Sequence, residues 1–84
     1  MPIEITAWDR EGLLRDVSSV VADAGVNMSS VHVVTSRNIA TLQLTIEIRG
    51  AEQLMRILTR LEGIRNVIEA RRHKGSQRGD RLPS

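Results

Sequence analysis

Ala7-Trp8-Asp9-Arg10-Glu11-Gly12-Leu13-Leu14 is the stretch that decides the fold of this chain of 84 residues. An alternating apolar pattern ends at Trp8, and an apolar pattern of helical spacing begins at Leu13. So short a turn leaves the first backbone N–H groups of the helix without partners inside the helix. Gly12 places no side chain over them, so we expect a small polar or anionic group to reach the backbone here. The turn is therefore where we predict a ligand pocket.

A strand and an amphipathic helix flank this turn. Ile3–Trp8 alternates, which places Ile3, Ile5 and Ala7 on the core side and leaves Trp8, the only aromatic residue, on the other side. Trp8 is predicted either to line a pocket or partner surface or simply to pack at the edge of the sheet. Asp9 is expected to cap the helix, and Gly25 to end it. The apolar stripe of the helix is Leu13, Leu14, Val17, Val20, Val21 and Ala24.

Two strands and a second helix are predicted further along the chain. Val26–Ser36 has a blurred alternation, which indicates a bulge or burial on both faces. Ile39–Ile48 alternates cleanly and is close enough to form a hairpin with it. Ala51–Leu61 has helical spacing, with Met55 at the margin of its apolar stripe. The inward residues of the second hairpin strand are expected to be Ala40, Leu42, Leu44, Ile46 and Ile48.

The predicted order of elements defines the fold class. With a last strand over Ile64–Arg71, the order is β-α-β-β-α-β, an α+β, ferredoxin-like sandwich. Its four-stranded antiparallel sheet should carry both helices on one face. We assign residues 1–72 to this domain and expect residues 73–84 to be a basic disordered tail. The charge is uneven, because residues 71–84 hold five of the 12 Lys and Arg but one of the 10 Asp and Glu.

Composition argues against several functional classes. The chain has no Cys, and its two histidines, His32 and His73, have no evident catalytic partners, so we predict no catalytic residues, no metal site and no cofactor. RNA-recognition domains share this topology, but they stack bases on aromatic residues that the sheet would lack here. The tail could still contact phosphate groups. No apolar run is long enough to span a membrane and no signal pattern is evident, so we expect a cytoplasmic protein without membrane contacts.

The remaining polar pattern favours a small-molecule site. Free N–H groups at the helix start suit a carboxylate, and the start of the second strand offers an amide with donor and acceptor. We predict a pocket between these two stretches. The alternative is that the same residues only cap, turn and satisfy local backbone groups. The predicted ligand-binding residues are Asp9, Arg10, Gly12, Leu13, Leu14, Asn27, Met28 and Ser29.

The motifs resemble those of the ACT domain family of amino-acid-sensing regulatory modules. Ile-x-x-x-Asp-Arg-x-Gly-Leu-Leu over Ile5–Leu14 and Gly-Val-Asn-Met over Gly25–Met28 carry this resemblance. Asp9–Val17, Leu42–Ile48 and Asn66–Arg72 look like the C-terminal ACT domain of the RelA/SpoT-type (p)ppGpp synthetase/hydrolases. Together the matches cover about residues 3–72.

The resemblance implies a regulatory domain whose catalytic partners lie elsewhere in a longer protein. ACT domains often pair side by side, joining two sheets into one of eight strands, so we expect a homodimer. Amino-acid ligands in the family lie at such an interface, near the positions of Gly12 and Asn27–Ser29. The resemblance also implies contacts with other domains of the parent enzyme, and a role in reporting ribosome and tRNA status. The alternative is a docking module for ribosome, tRNA or another protein domain that binds no small molecule.

Overall fold

A computed structural model describes residues 1–73 of the chain. The predicted β-α-β-β-α-β order is confirmed. The elements are β1 (Pro2–Trp8), α1 (Leu13–Asp23), β2 (Asn27–Ser36), β3 (Ile39–Glu47), α2 (Ala51–Glu62) and β4 (Val67–Arg72).

The four strands form one antiparallel sheet in the order β2-β3-β1-β4. The central pair, β1 and β3, aligns Trp8 with Ile39 at one end and Pro2 with Thr45 at the other. The predicted hairpin of β2 and β3 is confirmed. Its two turn residues, Arg37 and Asn38, have φ of 54° and 69°, which is the left-handed geometry of a type I′ hairpin turn. The first and last strands in this order, β2 and β4, are the edges of the sheet.

The apolar core lies between one face of the sheet and the two helices. The inward residues of β1 are completely buried, as predicted, and the alternate residues of β3 are buried as well. Leu14 is the exception in the predicted helix stripe, because its side chain is 44 % exposed. The buried residues are Ile3, Ile5, Ala7, Leu13, Val17, Val21, Val26, Ala40, Leu42, Leu44, Ile46, Leu54, Ile57, Leu61 and Ala70. This arrangement confirms the α+β, ferredoxin-like fold.

The end of α1 follows from Gly25, as predicted. Gly25 has a φ of 73°, and its N–H donates to the Ala22 carbonyl at 3.0 Å. The N–H of Val26 donates to the Val21 carbonyl at 3.3 Å. These two bonds form a Schellman motif, which satisfies the last carbonyls of the helix and turns the chain into β2.

Two predicted strands differ in detail. The irregularity of β2 is a bulge between Met28 and Ser30, and the strand is exposed on both faces rather than buried. The last strand begins at Val67 rather than Ile64, because Asn66 has a φ of 78° and the Val67 N–H donates back to the Ile64 carbonyl. The predicted tail, apart from His73, lies outside the described residues, so its disorder stays a prediction.

Candidate functional site

The turn between β1 and α1 leaves two helix amides open. Gly12 is the N-cap residue, with a φ of 83° and no side-chain cap. The N–H of Leu13 donates to the Arg10 carbonyl at 3.3 Å, and intrahelical bonding begins when the Asp16 N–H donates to the Gly12 carbonyl at 2.9 Å. Within residues 1–73, the N–H groups of Leu14 and Arg15 therefore meet no protein acceptor. They are the unpaired donors that the sequence predicted at this helix start.

The prediction that Asp9 caps α1 is wrong. The cap position falls at Gly12, whose left-handed backbone replaces a side-chain cap. The backbone N–H of Asp9 instead donates to the Asn38 carbonyl at 2.8 Å, which ties the turn to the β2–β3 hairpin. The Asp9 carboxylate is thus three residues too early to accept from the helix amides that a capping residue serves.

Two guanidinium groups lie beside the bare α-carbon of Gly12. A Cβ at this position would be 3.0 Å from Nη2 of Arg15 and 3.7 Å from Nη1 of Arg10. The space over Gly12 is therefore partly filled by cationic side chains rather than open. The Arg15 side chain is 80 % exposed, so it can move away from Gly12. The free amides and the exposed Arg15 guanidinium are the donors that this turn offers to an anion, since Arg10 is ion-paired with Asp16.

Arg10 fastens the turn to other parts of the chain. Its Nη2 donates to Oδ2 of Asp16 at 2.7 Å, and its Nε and Nη2 donate to the Arg65 carbonyl at 3.3 and 3.2 Å. The Trp8 N–H donates to the Asn66 carbonyl at 2.9 Å beside it. The turn is thereby bonded to the segment that joins α2 to β4. Most donors of the Arg10 side chain are used within the protein.

The ion pair with Arg10 changes the acidity of Asp16. The hydrogen bond from Arg10 is the main reason that the pKa of Asp16 lies below its ordinary value of 3.8. The positive charges of Arg10 and Arg15 lower this pKa further, while partial desolvation opposes them. Asp16 is therefore ionised over the neutral pH range and holds Arg10 in place.

An apolar cleft of about 350 Å³ opens next to the turn. One wall is the first turn of α1, and the other is formed by β2 and β3. Leu13 is buried in this wall, whereas Leu14 is half exposed at its mouth. The cleft thus combines cationic and N–H groups with an apolar lining, which suits an anion that carries an apolar group. Its lining residues are Asp9, Arg10, Gly12, Leu13, Leu14, Arg15, Val33, Ala40 and Leu42.

The second half of the predicted site, Asn27–Ser29, does not line this cleft. Asn27 begins β2 and donates from Nδ2 to Oε1 of Glu47 at 3.4 Å, and Ser29 donates from Oγ to the Thr45 carbonyl at 3.3 Å. Val33, which lines the cleft, is six residues along from Asn27, or about 20 Å in an extended strand. One copy of the chain therefore does not bring the two predicted halves into a single pocket.

The uncovered surface of β2 was not identified from the sequence pattern. Val31 and Val33 align with the buried Leu44 and Leu42 of β3 and so face the helix side of the sheet. They are nevertheless 39 % and 43 % exposed, so the helices cover this edge of the sheet only in part. The signal was present in the sequence, since Asn27–Ser36 contains valines and no Asp, Glu, Lys or Arg.

Other kinds of site find no support in the part of the chain that the structure describes. No group of three or more His, Asp or Glu residues there is arranged to hold a metal ion. His32 lies in β2 opposite Gln43, and Nδ1 of His73 is 4.0 Å from Glu4. Neither α1 nor α2 has the length and hydropathy needed to cross a membrane.

Comparison with known proteins gives consistent matches. A family model described as ACT domain matches residues 1–72. A GTP pyrophosphokinase of Escherichia coli (strain K12) is 40 % identical over 76 residues, which are 88 % of this chain and 10 % of that protein. A guanosine-3′,5′-bis(diphosphate) 3′-pyrophosphohydrolase of Aquifex aeolicus is 31 % identical over 65 residues, 77 % of this chain and 9 % of that protein. The chain thus spans about a tenth of the length of these relatives.

A solved structure supports the fold. The crystal structure of the ACT domain from GTP pyrophosphokinase of Chlorobium tepidum superimposes with a TM-score of 0.73 and 19 % sequence identity. The superposition covers 82 % of this chain and 90 % of that one. At this identity the likeness concerns the arrangement of strands and helices.

Proposed function

The chain belongs to the ACT domain family, and on that basis we propose that it is a non-catalytic regulatory domain of a RelA/SpoT-type (p)ppGpp synthetase/hydrolase. The observation that carries this proposal is the 40 % identity to a GTP pyrophosphokinase over 88 % of the chain. In this proposal the domain acts in the cytoplasm and controls catalytic domains that lie in other parts of the same protein. A basic tail over residues 73–84 follows the domain.

We propose that two copies pair through their β2 edges. A strand of ten residues with exposed valines and no Asp, Glu, Lys or Arg is an unprotected edge, which offers a row of backbone groups to another strand. Val31, Val33 and Leu14 add apolar surface on the helix side of that edge. Pairing two β2 strands antiparallel would join the sheets into one of eight strands and bury this surface.

The proposed dimer would bring the two halves of the predicted site together across the interface. In an antiparallel pair with its two-fold axis near Val31, the start of the partner's β2 lies beside Val33, and the bulge after Met28 places the partner's Met28, which aligns with the buried Ile46, on the same helix-side face. Val33 lines the cleft beside Gly12. The start of β2 in one copy would therefore complete the cleft of the other, so that each dimer has two equivalent sites.

The ligand that suits this site is an amino acid with an apolar side chain. Its carboxylate would accept from the Leu14 and Arg15 amides close to the guanidinium groups, and its side chain would contact Ala40 and Leu42 in the cleft. The partner's Met28 would add apolar contact from the helix-side face, whereas the partner's Asn27 aligns with Glu47 and lies on the opposite face of the sheet. To regulate the enzyme, the ligand must favour one arrangement of the domains, and couplings of this kind are typically about 1–3 kcal/mol.

Titration with L-valine tests the sensor proposal. Two-dimensional amide NMR should show shifts at Leu14, Arg15 and Asn27–Ser29, and the fluorescence of Trp8 should change because Trp8 lies next to the turn. Valinamide, which lacks the carboxylate, is the matched control and should give smaller shifts. Equal shifts with both compounds, or none at millimolar L-valine, would count against the amino-acid site.

The second candidate is a docking domain without a small-molecule ligand. The sheet face opposite the helices exposes Trp8 and Val34 by 52 % and 53 %, so apolar contact area is available there. Glu11 places a negative charge next to the turn, which disfavours an incoming carboxylate. A ribosome, a tRNA or another protein domain would then bind this face, and RNA or protein binding without any response to L-valine would support this candidate.

A further inference from the structure

The two edges of the sheet are protected to very different degrees. β2 presents ten residues with His32 as the only ionisable side chain. β4 has six residues, of which Glu69, Arg71 and Arg72 are charged, whereas a register shift occurs in the pairing of both strands and does not distinguish them. A short strand and charged side chains are devices that keep an edge from pairing. The chain therefore has one receptive edge and one resistant edge.

Glu62 adds a direct block to the resistant edge. The backbone N–H of Ala70 donates to Oε2 of Glu62 at 3.2 Å. On the other side of β4, Ala70 is aligned with Ile5 of the neighbouring strand β1. This N–H lies near the middle of β4, where a further strand would have to accept from it. Because the Glu62 carboxylate already accepts this bond, a strand from another molecule meets an occupied donor and a negative charge.

The position of Glu62 in α2 supports a specific role for its carboxylate. Glu62 is the last residue of the helix, where the free carbonyl groups make a negative side chain unfavourable. Arg60 is the kind of residue that suits this turn. The contact with Ala70 gives the Glu62 carboxylate a donor that the end of the helix does not supply.

We propose that Glu62 closes the β4 edge against a second copy of this chain, so that strand pairing between copies is confined to β2 and stops at a closed dimer. The dimer itself rests on the proposed function, whereas closure of β4 rests on the contact between Glu62 and Ala70. A chain with two receptive edges would join head to tail and extend without limit. One open edge and one closed edge permit a single two-fold pairing.

Glu62→Ala tests the proposal, and Glu62→Gln and Glu52→Ala are the controls. Glu62→Gln keeps an oxygen that can accept from Ala70, and Glu52→Ala removes a carboxylate of α2 that pairs with Arg56 instead. Amide hydrogen exchange by NMR should show the Ala70 N–H exchanging about fivefold to tenfold faster in Glu62→Ala, with little change in the controls. Sedimentation velocity should show species larger than the largest wild-type species in Glu62→Ala alone.

The outcomes separate this proposal from the proposed dimer. A wild-type chain that sediments as a monomer argues against pairing through β2, yet association gained by Glu62→Ala would still support closure of β4. Unchanged exchange of the Ala70 N–H in Glu62→Ala would overturn the proposal. So would an unchanged association state in that variant, whatever the state of the wild type.

Discussion

Gly12 and Gly25 are two glycines with the same backbone requirement and different surroundings. Both have positive φ, 83° and 73°, but a Cβ would meet the Arg15 guanidinium at Gly12 and nothing within 4 Å at Gly25. Alanine at either position should lower the free energy of unfolding by about 1–2 kcal/mol, the cost of left-handed backbone for a residue with a Cβ. Chemical denaturation of both variants measures this cost.

The same pair separates stability from binding. We expect Gly12→Ala to weaken the NMR response to L-valine, because its methyl group intrudes between the free amides and the guanidinium groups. Gly25→Ala, at the far end of α1, should leave that response unchanged. Gly12→Asp should also destabilise the fold, because the positive φ of Gly12 is unfavourable for any residue with a Cβ. Equal responses in both alanine variants would place the ligand away from Gly12.

Arg10 and Asp16 provide a pH-dependent test at the scale of single residues. Arg10→Ala should raise the pKa of Asp16 toward 3.8, because its main cause of lowering is the Arg10 hydrogen bond. Arg15→Ala is the matched control and should have a smaller effect, since Nε of Arg15 is 3.8 Å from the Asp16 carboxylate. The carboxyl carbon shift of Asp16, followed by NMR against pH, measures both values.

The sign of the linked stability change follows from the lowered pKa. A carboxylate whose folded pKa is depressed stabilises the fold above its unfolded pKa, and the contribution is lost as the pH falls through the folded value. The difference in stability between the wild type and Asp16→Asn should therefore be greatest at neutral pH and should shrink below pH 3.8. A difference that does not change with pH would show that the ion pair has no linked effect.

At the scale of elements, the proposed dimer depends on β2. Val33→Lys places a charge in the proposed interface, and in a two-fold dimer both copies contribute the substituted residue. Losing two buried valines at about 1.5 kcal/mol each should raise the dimer dissociation constant roughly 100-fold. Met55→Lys is the control, because Met55 is 63 % exposed on α2, away from β2. Sedimentation equilibrium gives both constants, and equal weakening by the two variants would contradict an interface at β2.

The elements differ in how far the sequence could predict them. The alternation in β1 and β3 and the helical spacing in α1 report burial on one face, and these predictions are confirmed. Leu14 shares the spacing of the stripe but is half exposed, because helical spacing cannot tell where the neighbouring sheet ends. The cap of α1 was assigned to Asp9 because Asp is a good capping residue, whereas the left-handed backbone at Gly12 sets the start of the helix.

The candidate site was less predictable than the fold for a physical reason. The residues of its two stretches were chosen by chemical type, and the turn does present the expected free amides. The predicted helix between Gly12 and Gly25 already placed Gly12 and Asn27 at its opposite ends, so the sequence itself carried a signal that one copy of the chain would keep them apart. Chemical type does not show, however, that the Arg10 guanidinium donates hydrogen bonds to Asp16 and to the Arg65 carbonyl.

At the scale of the whole molecule, the proposed dimer would complete a small domain with a copy of itself. The described part of the chain has an apolar core, two sheet edges and exposed valines on β2 beside the cleft at Gly12. Its relatives are about ten times longer, and in the proposed function a change in how two such domains pair would act on catalytic domains in other parts of the same protein. Pairing is thus the step through which a ligand would influence the rest of the protein.

The most direct test of this account is an isotope-filtered NOE spectrum of a mixture of labelled and unlabelled chains. The spectrum detects only contacts between copies. Pairing through β2 predicts NOEs between the Val33 methyl groups of one copy and Ser29 of the other, with none from Met55. An absence of such NOEs at millimolar protein, or contacts between copies confined to the sheet face around Trp8, would contradict it.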